Sequence, residues 1–169
     1  MVVTDRKHPA SSPLDPCASL RGMERLERFV GSWDLEAIFP EGHPAEGAVG
    51  GARATFEWIL GGAFLLERSE VDHPDAPDGH SIVAMNADGD GYTQHYFDTR
   101  GVARLYDMTF DGTLWTLTRE KADFSPLDFK QRYTGRFSDE GDRIDGAWEI
   151  CFDGVNWQND FDLNYRRAG

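Results

Sequence analysis

Apolar and polar residues alternate along most of the chain beyond residue 30, and this two-residue period is typical of half-buried β-strands. The segment before it has a different period. Leu20, Met23, Leu26 and Val30 recur at helical spacing, and Gly31 then ends the pattern. The sequence therefore predicts one short N-terminal helix that is followed only by strands.

The alternating segments predict about ten strands. Dipeptides that supply the positive φ angles of tight turns stand between several of these segments. They are Gly61-Gly62, Asp88-Gly89, Asp111-Gly112 and Asp153-Gly154. Short turns make successive strands neighbours in an antiparallel sheet. The predicted strands are residues 33–39, 53–60, 63–71, 81–86, 92–98, 102–110, 113–120, 127–137, 143–151 and 157–166.

A flat meander of that size would leave two long edges open to other chains and would curl under its own twist. Closure into a barrel removes both edges, and the helix can then cap one end. We therefore predict an all-β fold, a closed antiparallel meander barrel with one short N-terminal helix. Residues 1–18, rich in proline, serine and charge, are predicted to be a flexible leader, and residues 19–169 a single domain.

The chain contains 17 Lys and Arg against 30 Asp and Glu, a net charge of -13. A field of that sign repels phosphate backbones and anionic headgroups, so we expect neither nucleic acid nor a membrane as a partner. Residues 1–16 contain no apolar signal segment, and no run approaches the roughly 18 residues that cross a bilayer. These features predict a cytoplasmic protein. Cys17 and Cys151 are interpreted as free thiols.

A family resemblance begins at Gly31-Ser32-Trp33, which opens the first strand and resembles the Gly-X-Trp signature of calycins. The downstream residues that extend it are Tyr92, Tyr96-Phe97-Asp98, Arg100-Gly101, Gly146, Trp148-Glu149, Asp153-Gly154 and Trp157. Together they resemble a bacterial family of calycin-like (lipocalin-like) barrels, distantly similar to nitrobindins and to fatty-acid-binding proteins. The resemblance covers residues 29–166, and it implies the fold more firmly than any activity.

Nitrobindins hold haem through a histidine near the C-terminal end, and the last predicted strand of this chain contains none. The Gly-rich pattern that follows the first Trp in nitrobindins is also missing here. We therefore predict no cofactor, and a haem protein with His95 as the inward ligand is kept as the weakest alternative. No metal site is predicted either, because the acidic loops at residues 72–80 and 88–91 have the composition of turns.

Alternation along the strands, carried across two-residue turns, predicts which side chains face the barrel interior. Tyr92 and Tyr96 are predicted to face outwards. Outward aromatic side chains can form a dimer interface, so a homodimer is kept as an alternative to a monomer. The predicted lining is aromatic with a few polar groups, which suits a small molecule with an apolar body and one polar end. Its ligand-binding candidates are Arg104, Arg119, Tyr106, Tyr133, Gln131, Phe56, Trp58, Phe97, Trp148 and Asn159, together with inward Glu67 and His95.

Arg104 and Arg119 are predicted to lie side by side inside the barrel, which is costly unless an anion joins them. That anion is either a ligand or Glu67. Fatty-acid-binding proteins hold their ligand carboxylate with two arginines and a tyrosine, and Arg104, Arg119 and Tyr106 or Tyr133 resemble that set in type. The structural alternative is a sealed internal salt bridge or arginines that reach the barrel rim.

The leading hypothesis is therefore an intracellular binding protein for a small, largely apolar, anionic molecule such as a lipid-like acid or an aromatic metabolite. The second hypothesis is a cofactor-independent isomerase, cyclase or hydro-lyase. In that enzyme Glu67 or His95, desolvated by neighbouring rings, is the catalytic general base. The sequence contains no motif of the common hydrolases, kinases or dehydrogenases.

Overall fold

A computed structural model describes residues 22–47 and 51–169. The predicted leader, Cys17 and Leu20 lie outside these residues. Ten strands follow a short helix, as predicted. The strands are β1 (Gly31–Ile38), β2 (Ala52–Ile59), β3 (Phe64–Val71), β4 (Gly79–Met85), β5 (Tyr92–Asp98), β6 (Ala103–Phe110), β7 (Leu114–Arg119), β8 (Lys130–Phe137), β9 (Arg143–Cys151) and β10 (Gln158–Arg167).

The strands form one closed antiparallel barrel in which each strand pairs with its neighbours in sequence. Closure is made by β1, which pairs with β2 on one side and with β10 on the other. Trp33, for example, lies opposite Ala54 of β2 and Arg167 of β10. The predicted meander and its closure are confirmed.

The N-terminal helix is a 3₁₀ segment, Glu24–Phe29, and a second 3₁₀ turn of three residues, Leu60–Gly62, joins β2 to β3, where the sequence predicted only strands. Met23, Leu26 and Phe29 are buried and stand three residues apart, so they lie above one another on a helix with three residues per turn. Val30, which the helical spacing placed in the buried stripe, is only partly buried. Gly31 ends the segment with a φ of 124°, which a residue with a side chain rarely adopts.

This helix closes one end of the barrel with aromatic packing. The Phe29 ring lies 4.9 to 5.0 Å from the rings of Phe110, Trp115 and Phe137. The Trp33 indole nitrogen donates to the carbonyl of Phe29 at 2.7 Å. These side chains are at most 4% exposed, so the helix end of the interior is filled.

The opposite end, which we call the mouth, carries the five loops that follow the odd-numbered strands. Arg119, at the end of β7, is buried, but many other inward side chains in that half are only partly buried. They are Leu35, Ser69, Tyr96, Arg104, Gln131, Trp148, Ile150, Phe161 and Leu163. We call the space they line the lumen.

Two further features complete the fold. Cys151 is buried and is a free thiol, as predicted. None of the helical segments in the described ranges is long and apolar enough to cross a membrane.

Candidate functional site

The inner wall follows the predicted alternation on most strands. Phe56 of β2 lies opposite Glu67 of β3, and both are buried. The same holds on β6, β7 and β8, because the short turn between β6 and β7 and the longer loop between β7 and β8 both keep the parity that the sequence predicted. The inward residues of those three strands include Arg104, Tyr106, Met108, Trp115, Leu117, Arg119, Gln131, Tyr133 and Phe137.

The predicted face of β5 is wrong. His95 pairs with Leu105 on the outer wall, and Phe97, which is 42% exposed, also faces outwards. The inner face of β5 instead carries Tyr92, Gln94 and Tyr96. The two tyrosines therefore do not mark an outward surface, and they give no argument for a dimer.

The turn after β5 causes this inversion. Asp98 donates its backbone N–H to the carbonyl of Val102 at 3.0 Å, so three residues separate the two strands where the sequence suggested two. Gly101 takes a φ of 80° within that turn. One additional residue moves every side chain of a strand to the other face.

The predicted inward position of Asn159 on β10 is also wrong. Asn159 is exposed, and it pairs with Glu149 of the outer wall. The register shifts between Asn159 and Phe161, and beyond this bulge the predicted inward residues Phe161, Leu163 and Tyr165 are in place. A bulge adds one residue to one strand, so the parity on its two sides differs.

Glu67 lies inside the barrel, as predicted, and is 8% exposed. Ser81 of β4 is its direct cross-strand partner. The amide of Gln94 donates to Ser81 Oγ at 3.2 Å, so a polar row runs across β3, β4 and β5. Burial raises the pKa of Glu67 from 4.5 to about 7, and the neighbouring Ser81 hydroxyl lowers it by less. The carboxyl therefore changes its protonation near neutral pH.

Arg119 is 2% exposed, and it is neutralised by Asp123. Nε donates to Oδ2 at 2.7 Å and Nη2 donates to Oδ1 at 2.8 Å. The bonds from Arg119 hold the pKa of Asp123 well below its usual range. The anion that Arg119 needs is therefore part of the protein, and it is Asp123 rather than Glu67.

Arg104 lies close to this pair but holds no carboxylate among the described residues. Its Nη1 donates to Ser125 Oγ at 2.9 Å and to its neighbour's carbonyl, that of Ala103, at 3.0 Å. Arg119 also donates to Ser125 Oγ, at 3.3 Å. The predicted proximity of the two arginines is thus present, and Ser125 bridges them. Arg104 is only partly buried and faces the mouth.

Aromatic rings and an amide form the remaining wall of the lumen. The Tyr106 hydroxyl donates to Gln131 Oε1 at 3.2 Å, and burial raises the pKa of Tyr106 to about 12. The Trp148 ring lies 5.5 Å from that of Tyr106 and 5.3 Å from that of Tyr133. Four predicted ligand-binding residues therefore meet on one side of the barrel.

Phe56 and Trp58 belong instead to the packed end. The Phe56 ring lies 5.6 Å from that of Phe29. The Trp58 indole donates to the Glu27 carboxylate of the helix at 2.6 Å. Trp58 therefore supports the closure of the barrel and lies away from the mouth.

Sequence reasoning missed several residues of the site: Ser81, Gln94, Tyr96, Asp123 and Ser125. Gln94 and Tyr96 were hidden by the inverted parity of β5. Asp123 and Ser125 lie in the loop between β7 and β8, where no periodic signal exists. The one available signal was Asp123 four residues after a buried arginine.

Comparisons with known proteins support the barrel fold and identify no ligand or site residue. No protein-family model matches the chain, and no curated protein sequence matches it. Among solved structures, the chain is similar to the crystal structure of Rv2717c from M. tuberculosis, with a TM-score of 0.60 and 11% sequence identity. The match covers 88% of this chain and 98% of Rv2717c. At that identity the likeness shows a shared barrel fold.

Proposed function

We propose that this protein binds a small molecule in the lumen, with an apolar, planar body and one anionic end. The observation that supports it most is the difference between the two ends of the barrel. The helix end is filled by rings, whereas inward Trp148, Phe161 and Leu163 remain partly accessible near the mouth. Concave apolar surfaces with a few polar groups are the usual form of small-molecule sites.

The anionic end of the ligand is assigned to Arg104. Arg119 already holds Asp123, so its charge is not available to a second anion. Arg104 has only neutral acceptors among the described residues, Ser125 and the carbonyl of Ala103. A guanidinium near the mouth binds a carboxylate or sulfonate through charge-assisted hydrogen bonds.

The body of the ligand is assigned to the aromatic wall. Trp148 offers a ring face, and Tyr106 and Gln131 offer a hydroxyl and an amide at its edge. Flat apolar molecules pack on such rings in offset or edge-to-face arrangements. Membership of the calycin family, which sequence resemblance implies, is part of this proposal, since calycins carry small ligands in their barrels. The haem alternative relied on His95 as an inward iron ligand, and His95 faces outwards.

Anilinonaphthalene sulfonate tests the proposal, because it joins an aromatic body to one anionic group and fluoresces in apolar surroundings. We expect saturable binding by the wild type. Arg104→Gln should weaken it by about tenfold, the usual value of a hydrogen bond to a charged group. Arg136→Gln is the matched control, since Arg136 is exposed on the outer face of β8. Equal affinity in both variants would remove Arg104 from the site, and no saturable binding would reject the proposal.

A further inference from the structure

Glu67 differs from the other buried carboxyl groups of the barrel. Asp98 accepts from Arg100 Nη2 at 2.6 Å, and Asp123 holds Arg119. Glu67 has no cationic partner among the described residues, where burial and Ser81 alone set its protonation. A buried carboxyl without a cation is costly as a structural device, because its charged form is desolvated and uncompensated.

The neighbours that surround Glu67 among residues 22–47 and 51–169 are neutral. Phe56 of β2 and Ser81 of β4 are its cross-strand partners. The titratable groups that sense its charge are Tyr133 of β8 and Tyr165 of β10, and burial raises the pKa of both phenols. Both stay protonated at neutral pH, so Glu67 is the group here that gains or loses a proton.

We propose that Glu67, the inward residue of β3 next to the lumen residue Ser69, is the general base of a proton transfer on a substrate bound in the lumen, an inference that rests on the proposed function. The substrate class is a carbon acid, an apolar β,γ-unsaturated carbonyl compound whose acidic C–H bond lies between the carbonyl group and the C=C bond. The Glu67 carboxylate removes the proton, and the C–H electron pair becomes the double bond of an enolate. The same carboxyl then returns the proton to another carbon of the conjugated system. The net reaction is a 1,3-proton shift, which needs no oxidant, reductant or cofactor.

The polar row beside Glu67 orients its carboxyl for this step. Gln94 donates to Ser81 Oγ at 3.2 Å, which leaves the Ser81 hydroxyl hydrogen free to point at Glu67. The Ser81 hydroxyl favours the ionised form of the carboxyl, while burial keeps the carboxylate weakly solvated and hence basic. Ser81 is therefore a positioning residue, and its removal should raise the pH at which the base becomes active.

Nitrobenzisoxazole is a suitable probe, since it is an aromatic carbon acid that any well-placed base can open. The base takes the ring C–H proton, its electron pair completes a nitrile, and the N–O bond breaks to leave a coloured phenolate. We expect the wild-type rate to rise with pH through about 7 and then level. Glu67→Gln should lower it by about a hundredfold, the usual contribution of a general base.

Glu57→Gln is the matched control, because Glu57 lies on the outer face of the adjacent strand and its side chain is 51% exposed. Ser81→Ala should move the midpoint of the pH profile upwards, which a merely structural role of Ser81 would not do. The sulfonate probe is titrated into each variant in parallel. Sulfonate binding with equal elimination rates in Glu67→Gln and Glu57→Gln would overturn the proton-transfer proposal alone. Absence of sulfonate binding by the wild type would overturn it together with the proposed function.

Discussion

The phenol ring of Tyr133 lies directly over the backbone of Gly146, so that a Cβ atom at position 146 would overlap the ring and its hydroxyl. Gly146 pairs with Gly135 across β8 and β9, and a Cβ at Gly135 would also lie within 2.7 Å of the same ring. The ring crosses this glycine pair to donate from its hydroxyl to the carbonyl of Leu163 on β10 at 3.1 Å. The absence of side chains at these two adjacent glycines therefore allows the Tyr133 ring to lie against the barrel wall.

Gly146→Ala should therefore destabilise the protein by about 1 to 3 kcal/mol, the usual cost of overpacking a filled interior. Urea unfolding at neutral pH measures the change. Gly51→Ala is the control, because a Cβ there meets nothing within 4 Å. Tyr133→Phe removes the hydroxyl from the clash, so it should cost less in the Gly146→Ala background than in the wild type. Equal costs in both backgrounds would contradict the placement of the ring.

Asp123→Asn should destabilise the protein by roughly 3 kcal/mol or more, since it leaves the buried Arg119 without its counter-charge. The side chains of this pair are 1% and 3% exposed. Asp107→Asn is the control, because Asp107 pairs with Lys121 at the surface, where its side chain is 73% exposed. Chemical denaturation of the two variants at one pH gives both values. A loss of less than about 1 kcal/mol for Asp123→Asn would contradict the buried pair.

The contribution of Asp123 should also depend on pH. Its pKa is lowered from 3.8 by the bonds from Arg119, so the native state binds fewer protons than the unfolded chain in acid. The stabilisation is therefore present above pH 3.8 and is lost as the pH falls below it. Unfolding free energies of wild type and Asp123→Asn should converge below that pH. If the unfolding free energies of the two proteins stayed the same distance apart down to strong acid, the pKa of Asp123 would not differ between the native and unfolded states.

Glu67 should give the opposite dependence. Its pKa is raised from 4.5 to about 7, so its ionisation destabilises the native state progressively across that interval. The stability of Glu67→Gln relative to wild type should rise between those two pH values by an amount on the order of 3 kcal/mol. Thermal unfolding from acid to mildly alkaline buffer measures it, with Glu57→Gln as the control that lacks this rise. If the stability difference between Glu67→Gln and wild type did not change with pH, the Glu67 carboxyl would be exposed to solvent and the predicted burial would be wrong.

His95→Ala should leave binding of the sulfonate probe within about twofold of wild type, because His95 pairs with Leu105 on the outer wall. Tyr96→Phe, on the adjacent inner position, removes the hydroxyl that donates to Asp98 at 3.1 Å and borders the mouth. It should change the affinity measurably. Fluorescence titration of both variants decides which face of β5 lines the lumen, and the reverse order would contradict the structure.

The fold was predictable from the sequence because its determinants are local. Two-residue alternation defines each strand, and the positive φ angles of Gly89, Gly112 and Gly154 occur at turns that the dipeptides indicated. Closure followed from the cost of open edges. Glu67 was placed inside correctly because the turn between β2 and β3 preserves parity, and Arg104 because the turn between β6 and β7 does.

The rest of the site depends on features that alternation does not encode. One additional residue between β5 and β6 turned His95 outwards, and a bulge in β10 did the same to Asn159. The partner of Arg119 comes from a loop whose path is set by its own hydrogen bonds, such as that from Leu105 N–H to Asp123 Oδ2 at 3.0 Å. Such loops have no period from which a contact can be inferred.

We propose above all that the half of the barrel near the mouth receives a small anionic molecule. A crystal structure of the protein with bound anilinonaphthalene sulfonate tests it most directly. We predict that the naphthalene ring packs against Trp148 inside the lumen and that the sulfonate lies within hydrogen-bonding distance of Arg104. A probe found only on the outer wall, with the lumen filled by side chains, would contradict the claim.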